Sequence, residues 1–275
     1  MPLRLKRLPI LRRRPRQVVL YRAHYATPAI RREIARLRNE LSPAYDIAVI
    51  GYCADPAALS DITEAPTHAY TRADLEYLPN GEQIDDPYWR FTGGLDDLPV
   101  HRFFRDHPRY DYYWTIEYDV RYTGNWAELF RELGTSRADL LATTIQRHHE
   151  NPGWYHWYRV TRAGAPLPAS DLVKAFVPFC RLSRAALTAI GQALQAGLIG
   201  NYEATRATAT AQAGLIIEDI GGRGSFTVRK RAGRFYVNTP LDDHLSPGTF
   251  VFRPVRREDE IDPAFGPALW HPVKS

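Results

Sequence analysis

"QVVLYRAHYATPAIRREIARLRNELSPAYDIAVIGYC", residues 17–53, sets the fold class. "QVVLYRAHY" reads as a short buried strand ending in polar groups. Residues 27–41 read as a helix: Thr27 is a suitable N-cap, Pro28 takes the first helical position, and Ile30, Ile34, Leu37 and Leu41 recur on one face. "YDIAVIGYC", 45–53, reads as a second strand bounded by Pro43 and by Asp55-Pro56. Strand, helix and strand in so short a span make a βαβ unit, which demands a parallel pairing. Further along, "YDYYWTIEYDV" (110–120) reads as a central strand, and "NWAELFRELG" as a helix ending at Gly134. "ADLLATTI" (138–145) is another strand, 183–198 an amphipathic helix capped by Ser183, and "AGLIIEDIG" (213–221) a late strand. Residues 54–109, rich in Asp, Pro and Gly, read as short helices and a surface excursion. The expectation is one α/β domain over 17–275, with a mostly parallel, Rossmann-like sheet flanked by helices. Its C-terminal portion is irregular, and a basic leader covers 1–16.

The 275 residues are 44% hydrophobic and 24% charged, ordinary for a globular protein and enough to bury a core without disulfides or metals. Cys53 and Cys180 stand in no metal-ligand spacing and suggest a reducing compartment. No apolar run reaches bilayer-spanning length. The leader "MPLRLKRLPILRRRPRQ" lacks the apolar core and cleavage site of a secretory signal. It carries much of the net charge of +5, and suits either a solvated terminus or contact with anionic lipid headgroups. A cytoplasmic protein, peripheral at the inner face of the membrane, is the expected setting. A pI near 9.2 keeps a polyanion-binding reading open. Against it, the basic residues are dispersed and no nucleic-acid motif appears, so nucleic acid is not the expected partner.

In an open parallel α/β sheet, ligands bind beyond the carboxyl ends of the strands. Glu117 and Asp119 lie where "YYWTI" stops and, two residues apart, share a face. Such a pair can hold a divalent cation that bridges a diphosphate; alternatively, one carboxylate caps the turn and the other pairs with Arg121. "IEYDVRYTGNW", 116–126, resembles a segment of a family of uncharacterised glycosyltransferase-like proteins, related to nucleotide-sugar glycosyltransferases of the GT-A fold. In those enzymes a D-x-D motif ends a central strand and holds a metal against the donor's diphosphate. Glu117-Tyr118-Asp119 stands in that place, with Glu for the first Asp. The resemblance implies a nucleotide-sugar donor, a saccharide or glycolipid acceptor and Mn²⁺ or Mg²⁺, though some relatives work without metal. Cell-surface polysaccharide assembly and an inverting outcome belong to the same expectation, and so does the alternative of a fold that has lost catalysis.

The resemblance also implies the remaining roles. Arg22, His24 and Tyr25, at the end of the first strand, are the donor nucleotide contacts. Glu203, after the Gly-Asn turn in "LIGNYEATRATA", is the catalytic base, with Asp219 as the competing carboxylate. His244 is a second-tier metal ligand. From the residues themselves, Trp154, Tyr155 and Trp157 are candidates for binding the acceptor, because aromatic rings suit the C–H face of a sugar. His148, His149 and His156 match no zinc spacing. Arg121 and Arg223 are candidates for stabilising the phosphates, the second beside the glycines of "DIGGRG".

Overall fold

The structure, a computed structural model, describes residues 14–84, 86, 97–238 and 248–274. Seven strands form the main sheet: β1 (Gln17–Arg22), β2 (Asp46–Tyr52), β3 (Thr67–Tyr70), β4 (Tyr112–Glu117), β5 (Leu140–Arg147), β6 (Val173–Ser183) and β7 (Ile217–Asp219). Their order is β3-β2-β1-β4-β6-β5-β7. Only β6 runs antiparallel to its neighbours β4 and β5. The expected α/β class, with a mostly parallel sheet flanked by helices, is the architecture observed.

Helices α1 (Pro28–Leu41), α2 (Arg72–Leu75), α3 (Leu98–Asp106), α4 (Trp126–Leu133), α5 (Arg184–Gln195) and α6 (Tyr202–Gln212) complete the described fold. Helix α1 starts as its sequence dictates: the Thr27 hydroxyl accepts from Ile30 N at 3.2 Å, and Ile30, Ile34, Leu37 and Leu41 are buried. Alternation along β1 sends Val18 and Leu20 into the core on one face of the sheet, with Tyr113 and Ala207. Val19 and Tyr21 enter the core on the other face, with Ile34, Trp114 and Phe130. Both faces of the sheet are therefore covered by core residues, which leaves the strand ends as the place for a site. Gly51 in β2 permits one close approach: a Cβ there would stand 1.8 Å from the Ala23 carbonyl oxygen.

Two strands depart from the sequence expectation. β3 lies inside the stretch expected to be a surface excursion. β6 carries no readable alternation, because all eleven of its residues are buried. Pro178 sits where the β5–β6 register shifts between Leu141 and Thr143, so its missing N–H breaks no regular ladder. Arg181 is buried in β6 and donates to the carbonyls of Ser136 at 3.0 Å and Ala138 at 2.9 Å, beneath the Tyr112 ring.

Residues 248–274 form the expected irregular tail, and it returns across the end of β4. Leu269–Trp270 pairs antiparallel with Arg121–Tyr122. Val273–Lys274 pairs with Arg256–Arg257. Among the described residues no helix is long and apolar enough to cross a membrane.

Candidate functional site

The acidic pair lies at the carboxyl end of β4, in the middle of the sheet. Glu117 ends the strand, and the turn closed by Val120 N on Glu117 O carries Asp119 back over it. The tail brings His271 onto both carboxylates: its Nε2 stands 3.6 Å from Glu117 Oε2 and 3.5 Å from Asp119 Oδ1. Glu117, Asp119 and His271 thereby form a cluster able to hold a metal ion.

Two details support such a use. The His271 Nδ1 lies 2.8 Å from the Val251 carbonyl oxygen. A carbonyl only accepts, so Nδ1 carries the hydrogen and Nε2 is directed at the carboxylates, the arrangement found in metal-bound imidazoles. Asp119 Oδ1 is buried and accepts no hydrogen bond from any described residue. A buried carboxylate oxygen left without a donor is costly unless a cation joins it. The residues therefore fit a divalent ion with oxygen and nitrogen ligands.

Around this cluster Arg22, at the end of β1, donates to Glu117 Oε1 at 2.9 Å. The Tyr202 hydroxyl, at the start of α6, donates to the same oxygen at 3.3 Å. Burial by itself would raise the Glu117 pKa, but the Arg22 guanidinium and His271 outweigh it and hold it at about 2. Burial also opposes charge on His271, yet Glu117 and Asp119 win and raise its pKa above the ordinary 6.5. Without metal, the imidazolium stabilises the fold below pH 6.5, and that contribution is lost as pH rises through the raised value. A cation must displace the same proton, so its affinity rises with pH by about tenfold per unit until His271 is neutral. Calorimetric Mn²⁺ titrations between about pH 5.5 and about pH 8.5 should show this slope, and His271→Gln should flatten it.

The remaining candidates separate clearly. His24 and Tyr25 gather with Tyr118, ring centroids 5.3 and 5.2 Å away, so the first strand's end does adjoin the acidic pair. Glu203 lies in the first turn of α6, its backbone N–H held by the Asn201 side chain at 2.8 Å, next to Tyr202. Arg121 is turned away: it is buried and donates to Glu258 at 3.0 Å, so neither Glu117 nor Asp119 takes it as partner. Arg223 is exposed on the loop after β7, and the amides of the glycines before it are already engaged. Gly221 N and Gly222 N donate to Asp219 Oδ1 at 2.9 and 2.7 Å, and the Tyr236 hydroxyl donates to it as well. Asp219 is thus a buried loop anchor rather than a competing base.

Trp154 and Trp157 are core residues, 7% and 5% exposed, and Trp157 Nε1 donates to the Asn151 carbonyl at 2.7 Å. Both rings are packed in the interior, which leaves the surface of this loop to its tyrosines. Tyr155 and its neighbour Tyr158 are the exposed pair, with Arg159 donating to both hydroxyls at 2.9 and 2.7 Å. Their loop ends against the α6 cap, since a Cβ on Gly200 would meet the Arg159 carbonyl oxygen at 3.2 Å. His244 lies outside the described residues. The late histidine that reaches the carboxylates is His271, within "LWHPVK"; only the tail pairing with Arg121–Tyr122 reveals it.

Fold and site together define an α/β protein with an acidic, histidine-completed cluster at the carboxyl ends of its central strands. The chain belongs to the family described as "Protein of unknown function (DUF3405)", whose model matches residues 73–214. No curated protein matches it. Among solved structures it is similar to the galactosyltransferase LgtC in complex with donor and acceptor sugar analogues. That alignment has 8% identity and a TM-score of 0.39, covering 71% of this chain and 70% of that one. An active-site mutant of LgtC aligns at 9% identity and a TM-score of 0.36, covering 61% of this chain and 57% of the mutant's.

Proposed function

We propose that the protein is a glycosyltransferase that moves a sugar from a nucleotide-sugar donor to a saccharide or glycolipid hydroxyl. The observation that carries the reading is the convergence of Glu117, Asp119 and His271 at the end of β4, with a buried Asp119 oxygen that has no donor among the described residues. A bound Mn²⁺ or Mg²⁺ on these three residues supplies positive charge against a departing diphosphate. Arg22 fixes Glu117 in its ionised form. His24, Tyr25 and Tyr118 offer rings beside the cluster for the nucleotide base.

The acceptor oxygen attacks the anomeric carbon, and the bond from that carbon to the diphosphate oxygen breaks. The electron pair leaves with the nucleoside diphosphate, and the acceptor proton passes to the Glu203 carboxylate. One displacement of this kind inverts the anomeric centre. Tyr155 and Tyr158, locked by Arg159 next to the α6 cap, form the acceptor platform in this reading. Replacing both by alanine should raise the acceptor KM by about tenfold or more. Stability should change by less than about 0.5 kcal/mol, because both rings are exposed. Trp157→Ala, by contrast, should cost about 3–5 kcal/mol through the core. Paired KM and melting measurements separate the two.

The direct test is a thermal-shift panel of UDP, GDP, CMP and dTDP compounds with and without Mn²⁺. A Tm rise for one nucleotide that requires Mn²⁺ supports the reading and names the donor class. No rise with any nucleotide would refute it and favour a scaffold that has lost catalysis.

A further inference from the structure

We propose that Lys274 is a resident counter-cation of Asp119 which a divalent ion must displace, so that this lysine sets the cation affinity of the site. The inference rests on the cation-site reading above.

The two oxygens of Asp119 keep different company. Oδ1 faces His271 Nε2 at 3.5 Å and accepts no hydrogen bond from a described residue. Oδ2 lies 2.5 Å from Lys274 Nζ. That ammonium also donates to the Tyr118 hydroxyl at 2.6 Å and stands 4.2 Å from the Tyr118 ring centroid. One short stretch of tail therefore delivers an imidazole to one oxygen and a competing cation to the other. Val273, between them, donates its N–H to the Asp119 carbonyl at 2.8 Å and fixes the alignment.

His271 and Lys274 differ in freedom. His271 is 6% exposed and tied to Val251. The Lys274 side chain is 40% exposed and ends a flexible four-carbon stem, so its ammonium can swing into water and be solvated there. Charge gives the swing its effect. With Arg22 on Glu117 and Lys274 on Asp119, two carboxylates are matched by two cations. A divalent ion then meets a neutral set, and it meets a negative one only when Lys274 has left. The apparent dissociation constant is the intrinsic one divided by the fraction of molecules in which Asp119 is released.

The test uses Mn²⁺ alone, with affinity read by calorimetry and by Mn²⁺ electron paramagnetic resonance, so no turnover is needed. Lys274→Met should bind Mn²⁺ about tenfold more tightly than the unaltered protein, and Lys274→Arg, which keeps the charge, about equally to it. A second measurement needs no variant. Reductive methylation of the four lysines, Lys6, Lys174, Lys230 and Lys274, is followed by mass spectrometry. Adding Mn²⁺ should speed labelling of Lys274 and leave Lys230 unchanged. Equal or weaker Mn²⁺ binding by Lys274→Met, or a Lys274 labelling rate indifferent to Mn²⁺, overturns the proposal while leaving the three-ligand site standing. Absence of Mn²⁺ binding in every form overturns both.

Discussion

Asp119→Asn is expected to abolish Mn²⁺-dependent nucleotide binding while leaving the melting temperature nearly unchanged. The substitution keeps volume and one oxygen but removes the charge and places an amide N–H₂ toward either His271 or Lys274. The Lys274 ammonium only donates, so an amide nitrogen turned toward it sets donor against donor, while one turned toward His271 replaces the carboxylate oxygen that faces Nε2. If Asp119 is a ligand, turnover with a metal-requiring donor should fall by about 100- to 1,000-fold, the scale set by losing one preorganised charge contact in a reaction centre. The fold tolerates the change because the orphaned partner, Lys274, is already partly exposed and can reach water. Asp119→Ala should lose the same activity and cost only about 1–3 kcal/mol more. Calorimetry with Mn²⁺ and the responsive nucleotide, alongside a melting curve, checks both halves. Wild-type affinity in Asp119→Asn would remove this residue from the ligand set.

The second large effect lies beneath the site. Arg206 in α6 is 1% exposed and makes a two-pronged salt bridge to Asp97, with Nε donating to Oδ2 at 2.8 Å. Its Nη1 also donates to Cys180 Sγ at 3.1 Å. Burial opposes the charge on Arg206, but Asp97 outweighs it and raises the guanidinium pKa. Arg206→Ala strands a carboxylate in the interior and should destabilise by about 3–5 kcal/mol. For a chain of this size that is a fall in Tm of roughly 10 °C, measurable by circular dichroism. Arg206→Met combined with Asp97→Leu should recover much of the loss, since the cost comes from an unpaired charge and not from a missing attraction. The loss should reach the site too. Arg206 lies 5.6 Å from the centroid of the Tyr202 ring, and Tyr202 bonds Glu117. A single variant as stable as the wild type would mean that water reaches the bare carboxylate.

Much of this molecule is legible where local chemistry and burial agree. Thr27, Pro28 and four spaced aliphatic residues announce α1, and the observed helix begins and ends where they place it. Glu117 and Asp119 are visible because carboxylates seldom close so apolar a strand unless they have a use. Glu203 falls in a first helical turn because Asn201 is a strong cap. β6 is hidden for a physical reason. A strand buried on both sides loses its period of two, and Lys174, Pro178 and Arg181 give it the composition of a loop. His271 and Lys274 are hidden for another. Their meeting with Asp119 depends on tail pairings with residues about 150 positions earlier in the chain, and no local pattern encodes that register. Trp154 and Trp157 belong to a conspicuous aromatic run that divides between interior and surface, the tryptophans buried and Tyr155 and Tyr158 exposed, and sequence does not say which ring goes where.

The route of the tail also fixes when the three-residue cluster can be completed during synthesis. All seven strands of the main sheet lie within residues 17–219, so a nascent chain can close its sheet before residue 271 has been made, with Phe250 and Leu269 still to join the core on the α1 face. Until then the acidic pair has neither its imidazole nor its ammonium. The cluster of Glu117, Asp119 and His271 is therefore incomplete until the tail has been made, and the docking of Leu269–Trp270 beside Arg121–Tyr122 carries His271 and Lys274 into place together.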